Sequence, residues 1–248
     1  MEIEIRRTFD LLARLEANLP EKDDILSRCV KGNWVKTSVK DYVNYSHKLA
    51  YAFLSLGYQK SDKAITICNN RPEWNIIDMG LNMAGMIHIP VYPTLSQEEY
   101  LHIFNHSEAK IIFIGNTQLY KKIAPIVEKM DQPAKIYLMD DDESIETLSS
   151  LYEQGEKEES KYKVEVETIK KETTPDDVAT IIYTSGTTGT PKGVMLSHWN
   201  LMFNALAHAK KQPVTSSQKM VSFLPLCHIY ERSMNYEYQY IGISIYYA

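Results

Sequence analysis

From Val178 to Leu196 the sequence reads VATIIYTSGTTGTPKGVML. The first six residues of this stretch are almost all apolar or β-branched, which predicts a buried strand. The ten residues from Thr184 to Gly193 then contain five hydroxyl residues, three glycines and one lysine. Glycines allow backbone N–H groups to turn toward an anion, hydroxyls donate hydrogen bonds, and lysine adds a positive charge. The sequence therefore predicts a strand that ends in a phosphate-binding loop.

This loop differs from the phosphate loop of the Walker A type. That motif requires Gly before its lysine and Ser or Thr after it, whereas Pro191 and Gly193 flank Lys192 in this chain. A P-loop NTPase is therefore disfavoured. The alternative on composition alone is a Ser/Thr/Gly-rich surface loop without a ligand. After the loop, Val194 to Leu196 leads to a helix that is expected to open at Ser197, its N-cap.

Upstream of this stretch, strand-like and helix-like segments alternate between Ser38 and Met139. This alternation predicts an α/β fold of layered β-α units with mostly parallel sheets. Pro90 cannot donate a hydrogen bond to a sheet. We therefore expect either that its strand lies at a sheet edge or that Pro90 lies near the end of the strand. The predicted strands are Ala64–Cys68, Ile87–Val91, Lys110–Ile114 and Ile136–Met139, and the predicted helices are Asp41–Leu56, Arg71–Ala84, one capped by Ser96-Gln97-Glu98-Glu99, and Gln118–Met130.

The segment from Asp140 to Asp177 is rich in acidic and basic residues, which is typical of a solvated helix face or a linker. A boundary at Thr174-Pro175-Asp176 suggests two subdomains, residues 1–172 with the charged segment near 140–172, and residues 173–248. The last residues, from Met234 to Ala248, alternate like a strand and lack a polar cap. We expect the chain to be cut within a structural element here, which would leave an exposed sheet edge.

Composition limits the classes of protein that are compatible with this chain. Hydrophobic residues make up 44% and charged residues 24% of the 248 residues, which excludes disordered, collagen-like and disulfide-scaffold proteins. Lys and Arg number 27 against 32 Asp and Glu, a net charge of −5, which argues against nucleic acid as a partner.

The compartment is predicted from the cysteines and the N-terminus. Cys29, Cys68 and Cys227 form no C-x-x-C pair, so neither a disulfide framework nor a zinc site is indicated. Met1 to Asp10 does not read as a signal peptide, and no run approaches the roughly 20 apolar residues of a membrane span. We expect a cytoplasmic protein, with peripheral membrane contact left open.

Two histidines, His102 and His106, have the spacing of metal ligands on one helix face. Ile103 stands where an H-E-x-x-H site has glutamate, and no third ligand is apparent, so a metal site is disfavoured. His198, at the start of the helix after the loop, is expected to be a structural neighbour of the loop.

The run from Tyr183 to His198 (YTSGTTGTPKGVMLSH) resembles the signature of the AMP-forming adenylating enzymes. This superfamily contains acyl-CoA synthetases, nonribosomal peptide adenylation domains and firefly luciferase. Asn70–Trp74 (NRPEW), Met83–Pro93 (MAGMIHIPVYP) and Ser222–Ser233 (SFLPLCHIYERS) also resemble segments of the family, the last one those of long-chain fatty acyl-CoA synthetases. The resemblance implies the N-terminal part of the large domain of these enzymes.

The resemblance implies a reaction in two steps. A carboxylate attacks the α-phosphate of Mg·ATP to give an acyl-adenylate and pyrophosphate, and the thiol of coenzyme A then displaces AMP. The implied substrates and cofactors are a fatty acid, ATP, Mg²⁺ and coenzyme A. The implied ligands of the ATP phosphates are Thr184, Ser185, Gly186, Thr187, Thr188, Gly189 and Lys192, with Thr184 also assigned to magnesium.

The resemblance places His228 and Tyr230 at the acyl or adenylate pocket. Without it, His228 would be read as a core histidine at a strand end. Glu231 and Arg232 are expected to form an ion pair with each other or to be solvated.

Later motifs of the family have no counterpart here: a magnesium glutamate, a ribose-binding aspartate, a hinge and a C-terminal domain with a catalytic lysine. We therefore expect the N-terminal portion of a long-chain fatty acid–CoA ligase, inactive without the remaining part of the synthetase chain. One alternative is another acid- or amino-acid-adenylating enzyme. A second is a non-catalytic nucleotide-binding or interaction protein, which tight ATP binding by this chain would favour.

Overall fold

The computed structural model describes residues 3–184 and 191–248. Within these residues the helices are α1 (Asp10–Asn18), α2 (Val39–Ser55), α3 (Pro72–Met83), α4 (Gln97–Ser107), α5 (Thr117–Val127), α6 (Leu148–Glu172), α7 (His198–Ala209) and α8 (Ile229–Ile241). The strands are β1 (Leu26–Val30), β2 (Asn33–Thr37), β3 (Lys63–Ile67), β4 (Ile87–Val91), β5 (Ile111–Ile114), β6 (Lys135–Leu138), β7 (Val178–Thr184), β8 (Lys192–Ser197), β9 (Lys219–Ser222) and β10 (Ser244–Tyr247).

The strands form two sheets. The larger sheet has the order β6-β5-β3-β4-β7-β8, and its strands are parallel except for β8, which is antiparallel to β7. The smaller sheet has the order β2-β1-β10-β9, with β10 parallel to both of its neighbours. The prediction of an α/β fold with mostly parallel sheets is confirmed.

Helices cover both faces of the larger sheet. Alternate residues of β3 and β5 point to opposite faces, as expected for strands. Ile65 and Ile112 pack in the core with α4 and α5, whereas Ala64 and Phe113 pack in the core that includes α2 and α3. A sheet buried on both faces explains why its strands read as continuous apolar runs.

Several local predictions agree with the structure because short-range contacts determine them. Ser96 caps α4 in a capping box with Glu99, and Ser197 caps α7 by accepting from the backbone of Asn200. Pro72 occupies the first turn of α3, where its missing N–H is harmless.

Of the two expectations drawn from Pro90, the edge position of β4 is wrong, and the position of the proline near the end of its strand is confirmed. β4 lies between β3 and β7 inside the larger sheet. Pro90 pairs with Thr66 of β3, while β7 pairs with β4 only at His88. The proline is tolerated because it is the penultimate residue of the strand, beyond the register pair with β7.

The C-terminal segment also differs from the prediction. Most of it belongs to α8, which ends at Gly242 with a left-handed φ of 86°, and only Ser244–Tyr247 is a strand. That strand, β10, lies inside the smaller sheet, so the expected exposed edge is wrong. Polar residues are buried around much of α8, and this hides the apolar periodicity by which a helix is recognised.

The charged segment after β6 is mostly helix. α6 is 25 residues long and packs against α2, so it is a helix with a solvated face rather than a linker. Gly155 allows the close approach, since a Cβ atom there would lie 1.8 Å from the backbone oxygen of Lys48. The division at residues 172 and 173 stays a prediction. In the described residues, no helix is both long and apolar enough to cross a bilayer.

Candidate functional site

The two described ends of the predicted phosphate loop lie side by side. Thr184 is the last residue of β7 and Lys192 the first of β8, and the two are paired in the antiparallel register. Both are exposed, and within the described ranges no carboxylate forms an ion pair with Lys192. The other predicted phosphate ligands, Ser185, Gly186, Thr187, Thr188 and Gly189, lie outside the described residues. The arrangement presents a hydroxyl and a cation to solvent at one end of the sheet.

The two histidines of α4 hold this end of the sheet. His106 Nδ1 lies 2.7 Å from the hydroxyl of Tyr183, and His102 Nε2 donates to the carbonyl oxygen of Pro191 at 3.1 Å. Across residues 3–184 and 191–248, no three His, Cys, Asp or Glu side chains are grouped as metal ligands. The i, i+4 spacing therefore serves to contact the residues before and after the loop. Sequence reasoning noticed the pair but did not find this role.

His228 and Tyr230 lie where β9 leads into α8. The Nδ1 atom of His228 accepts a hydrogen bond from the backbone N–H of Tyr230 at 3.2 Å, so His228 caps the helix. His228 is exposed, and Tyr230 is 55% exposed. The interpretation of His228 as a core histidine is wrong. Phe223 and Leu224, just upstream, are also exposed apolar side chains, which gives this surface an apolar character.

Asn70 attaches this surface segment to the larger sheet. Its Nδ2 donates to the carbonyl oxygen of Leu224 at 2.7 Å and to Ser222 Oγ at 3.2 Å. Its Oδ1 accepts from the backbone N–H of Leu226 at 3.0 Å. The NRPEW and SFLPLCHIYERS segments, far apart in sequence, are therefore in direct contact through one side chain.

A buried charge cluster lies behind the exposed residues, and it corrects the expectation for Arg232. Arg232 is 0% exposed and pairs with Asp78 of α3, not with Glu231. Its Nη2 donates to Asp78 Oδ1 at 2.6 Å, its Nη1 to Thr180 Oγ1 at 2.6 Å and its Nε to the Tyr236 hydroxyl at 2.8 Å. The guanidinium also lies 5.1 Å from the centre of the Trp74 ring.

Asp78 is the acceptor at the centre of this cluster. His88 Nδ1 donates to its Oδ1 at 2.7 Å, and the Tyr236 hydroxyl donates to its Oδ2 at 2.6 Å. Burial alone would raise the pKa of Asp78, but the charge of Arg232 and these hydrogen bonds outweigh it and lower the pKa to about 2. Burial lowers the pKa of His88, which also contacts Thr66 Oγ1 through Nε2 at 2.8 Å. The cluster is therefore an Asp78–Arg232 ion pair beside a neutral histidine.

Glu231 belongs to a second buried polar chain. It accepts from Ser222 Oγ at 2.6 Å and from Asn235 Nδ2 at 3.3 Å, and burial raises its pKa. The Tyr247 hydroxyl donates to Asn235 Oδ1 at 2.8 Å and accepts from Asn75 Nδ2 at 2.7 Å. The expectation of a solvated Glu231 is wrong as well.

The sequence did contain a signal for these buried residues. Asn75, Asp78 and Asn82 recur at three- and four-residue spacing on the otherwise apolar helix α3. Arg232 and Tyr236 have the same spacing on α8. Polar stripes that face each other on two buried helices indicate an internal hydrogen-bond network.

Two of the cysteines lie near this region but are not nucleophiles. Burial raises the pKa of the Cys68 and Cys227 thiols to about 12 each. Because the thiolate is the reactive form, both stay protonated at neutral pH. Neither of these two thiols is therefore a candidate nucleophile.

Comparison with known proteins finds one family along most of this chain. The family described as AMP-binding enzyme matches residues 16–247. Long chain acyl-CoA synthetase 6, peroxisomal, of Arabidopsis thaliana is 35% identical over 182 residues, which cover 71% of this chain and 26% of the relative. The chain therefore spans about a quarter of the length of that relative.

Solved structures share the fold at low identity. A Mycobacterium tuberculosis fatty acyl CoA synthetase superposes with a TM-score of 0.80 at 17% identity, over 100% of this chain and 45% of that one. VinN in complex with L-aspartate superposes with a TM-score of 0.77 at 15% identity, over 98% of this chain and 57% of that one. The two sheets thus match the N-terminal domain fold of adenylating enzymes, and this chain belongs to the AMP-binding enzyme family.

Proposed function

We propose that this chain supplies the phosphate-binding loop and part of the acyl-binding surface of a ligase that activates a long-chain fatty acid with ATP and transfers it to coenzyme A. The proposal rests on the pairing of Thr184 with Lys192, which brings the end of β7 and the start of β8 together on either side of the glycine- and hydroxyl-rich loop. The similarity to a long chain acyl-CoA synthetase supports the choice of reaction.

In this proposal ATP is a substrate whose β- and γ-phosphates contact the loop from Thr184 to Lys192. Adenylation releases pyrophosphate, so negative charge grows on the leaving group, and a cation positioned there lowers the barrier. Lys192 is that cation, and hydroxyl groups of the loop donate hydrogen bonds to the phosphates. The exposed Thr184 hydroxyl is a suitable single ligand for Mg²⁺, whose remaining ligands would be water and phosphate oxygens.

The apolar character of the second surface favours a fatty acid. Phe223 is 72% exposed, and Leu224 and Tyr230 are exposed beside it. Contact between apolar surface of this kind and a hydrocarbon chain is favourable, because both are removed from water. These apolar side chains provide no charge to pair with the ammonium group of an amino acid. An amino acid remains the second candidate substrate, because VinN, which binds L-aspartate in its solved complex, shares the fold.

Phosphate binding can be tested on this chain with an ATP analogue that carries an acyl group on its γ-phosphate. An amine near the phosphates attacks the acyl carbon, forms an amide and releases ATP. We expect labelling of Lys192, identified by mass spectrometry, and protection by millimolar ATP or pyrophosphate. Lys163, an exposed lysine of α6 with 63% side-chain exposure, should show no protection. Labelling of Lys192 that ATP leaves unchanged would contradict the proposal.

The reaction itself can be tested by joining this chain to the remaining sequence of the Arabidopsis relative and measuring ATP–pyrophosphate exchange. We expect exchange that depends on long-chain fatty acids and not on amino acids or aryl acids. Exchange with an amino acid alone would favour the second candidate. Tight, saturable ATP binding by the unjoined chain without any exchange in the joined protein would instead indicate a nucleotide-binding module.

A cytoplasmic location is part of this proposal, and peripheral membrane contact is left open. A sedimentation assay with phosphatidylcholine vesicles, with and without anionic lipid, would measure the membrane contact directly.

A further inference from the structure

The strand that leads to the phosphate loop is joined to the parallel sheet by a short backbone contact. β7 and β4 share a single register pair, His88 with Thr180, and β7 is irregular between Val178 and Thr180. By comparison, β4 shares five register pairs with β3, and β7 shares six with β8. Backbone hydrogen bonding alone therefore fixes the direction of β7 and β8 weakly relative to the rest of the larger sheet.

Side-chain hydrogen bonds strengthen the contact between β4 and β7 at the pair His88–Thr180. The Thr180 hydroxyl donates to the carbonyl oxygen of His88 at 2.6 Å and accepts from Arg232 Nη1 at 2.6 Å. Arg232 is in turn held by Asp78 and Tyr236, and all of these side chains are fully buried. Buried, charge-assisted hydrogen bonds hold their groups in a fixed geometry. If such a bond breaks, the buried donor and acceptor have no water molecule to replace the lost partner, so breaking it is costly.

This cluster also connects the two predicted binding surfaces. Thr180 lies four residues before Thr184, roughly 13 Å along the strand. Arg232 lies four residues after His228, about one helical turn into α8. One hydrogen bond, from Arg232 to Thr180, therefore links the strand that ends at the phosphate loop with the helix that begins at the predicted acyl pocket.

We infer that Thr180 and Arg232 are positioning residues that hold β7, and with it Thr184 and Lys192, in a fixed place relative to α8 and the acyl surface. The meaning of that placement for catalysis rests on the proposed function, whereas the mechanical role does not. Tyr183 and Pro191 are held separately by His106 and His102. Loss of the Arg232–Thr180 hydrogen bond should therefore make β7 and β8 more mobile while they stay attached to the rest of the protein.

Amide hydrogen exchange, measured by mass spectrometry on the 248-residue chain, tests the mechanical role. In Thr180→Val we expect exchange at least tenfold faster in peptides covering residues 178–184 and 192–197, with unchanged exchange in residues 63–67 and 111–114. Thr180→Ser keeps the hydroxyl and should restore the slow exchange. Thr66→Val is the matched control, because Thr66 also contacts His88 but lies in β3, away from β7.

Hydrogen exchange in Arg232→Lys is a second, independent test, which applies also if Thr180→Val does not fold. This substitution keeps a positive charge beside Asp78 but loses the three-way guanidinium fork, so the same peptides should exchange faster. Equal acceleration in every strand would show a merely structural role and overturn the inference, as would unchanged exchange in both variants.

The γ-acyl ATP analogue separates this inference from the proposed function. If both hold, Thr180→Val should lower the ATP-protected labelling of Lys192 at least fivefold, and Thr180→Ser should restore it. If wild-type Lys192 shows no ATP protection, the proposed function fails while the exchange data still decide the mechanical role. Full ATP-protected labelling in Thr180→Val, despite faster exchange, would overturn the assignment of positioning residues.

Discussion

Arg232 donates a hydrogen bond from Nη2 to Oδ1 of Asp78 at 2.6 Å, although 154 residues separate the two along the chain. Both side chains are completely buried. The pair fixes α8 against α3, and through Thr180 it also fixes β7. A fully buried ion pair of this kind is costly to break, because each partner alone would be an uncompensated charge in the protein interior.

Arg232→Met should therefore destabilise the protein by about 3–5 kcal/mol, since it leaves the Asp78 carboxylate buried without its counter-charge. Urea unfolding followed by circular dichroism would measure the loss. The double variant Asp78→Leu with Arg232→Met should regain more than half of the loss, because neither charge is then left alone. A double variant that is as unstable as the sum of the single ones would show that the two residues do not act as a pair.

Asn70→Ala should destabilise the protein by about 2 kcal/mol, because it removes the hydrogen bonds to Ser222, Leu224 and Leu226 together. The same unfolding assay applies. Asn204→Ala is the matched control: its amide donates to the Asn200 carbonyl on an exposed helix face, so a change within about 0.5 kcal/mol is expected. Equal effects of the two substitutions would contradict the assigned role of Asn70.

His198 should make stability depend on pH. Burial lowers its pKa to about 4, and the Thr8 backbone N–H donates to Nδ1 at 3.3 Å, so the folded ring stays neutral. The unfolded chain binds the proton near the ordinary pKa of about 6.5, and the free energy of unfolding therefore falls as pH drops from about 6.5 to 4. The contribution of this one group reaches about 3 kcal/mol at the low end.

His198→Asn keeps an acceptor for Thr8 but cannot be protonated, so the fall between pH 6.5 and 4 should be shallower than in the wild type. Unfolding curves at several pH values would give the slope. His228→Asn is the control, because this exposed residue caps α8 and asparagine is also a good N-cap. Parallel pH profiles for wild type and His198→Asn would show that His198 does not supply the dependence.

Gly155→Ala should destabilise the protein by at least about 2 kcal/mol, because the new Cβ would overlap the backbone oxygen of Lys48 and separate α6 from α2. Thermal unfolding would detect the shift. Val164→Ala, at a position on α6 that is 75% exposed, should change stability by less than about 0.5 kcal/mol. A neutral Gly155→Ala would mean that the two helices are not in close contact.

Lys192→Ala, introduced into the protein joined to the remaining Arabidopsis sequence, should slow ATP–pyrophosphate exchange by at least about tenfold with little change in KM for the fatty acid. Its charge matters most as pyrophosphate leaves, which is a property of the transition state. Lys163→Ala serves as the control and should exchange at the wild-type rate. A rise in KM for the fatty acid equal to the loss of rate would indicate that Lys192 has only a structural role.

Sequence alone determined the features that depend on neighbours along the chain. The strand from Val178, the glycine- and hydroxyl-rich loop after it, and the Ser96 capping box are local patterns, and the family resemblance rests on a run of consecutive residues. The β-α order likewise follows from apolar periodicity, which is set by burial on one face or both.

Tertiary structure alone decided what depends on contacts between distant segments. The partner of Arg232 is Asp78 rather than the adjacent Glu231, and β10 is an interior strand because β1, more than 200 residues earlier, pairs with it. Buried polar groups must find hydrogen-bond partners wherever the fold supplies them, so their partners cannot be inferred from local pattern. The same requirement explains why α8 was not recognised as a helix. Its buried residues are largely polar, and their partners on α3 and β7 are far away in sequence.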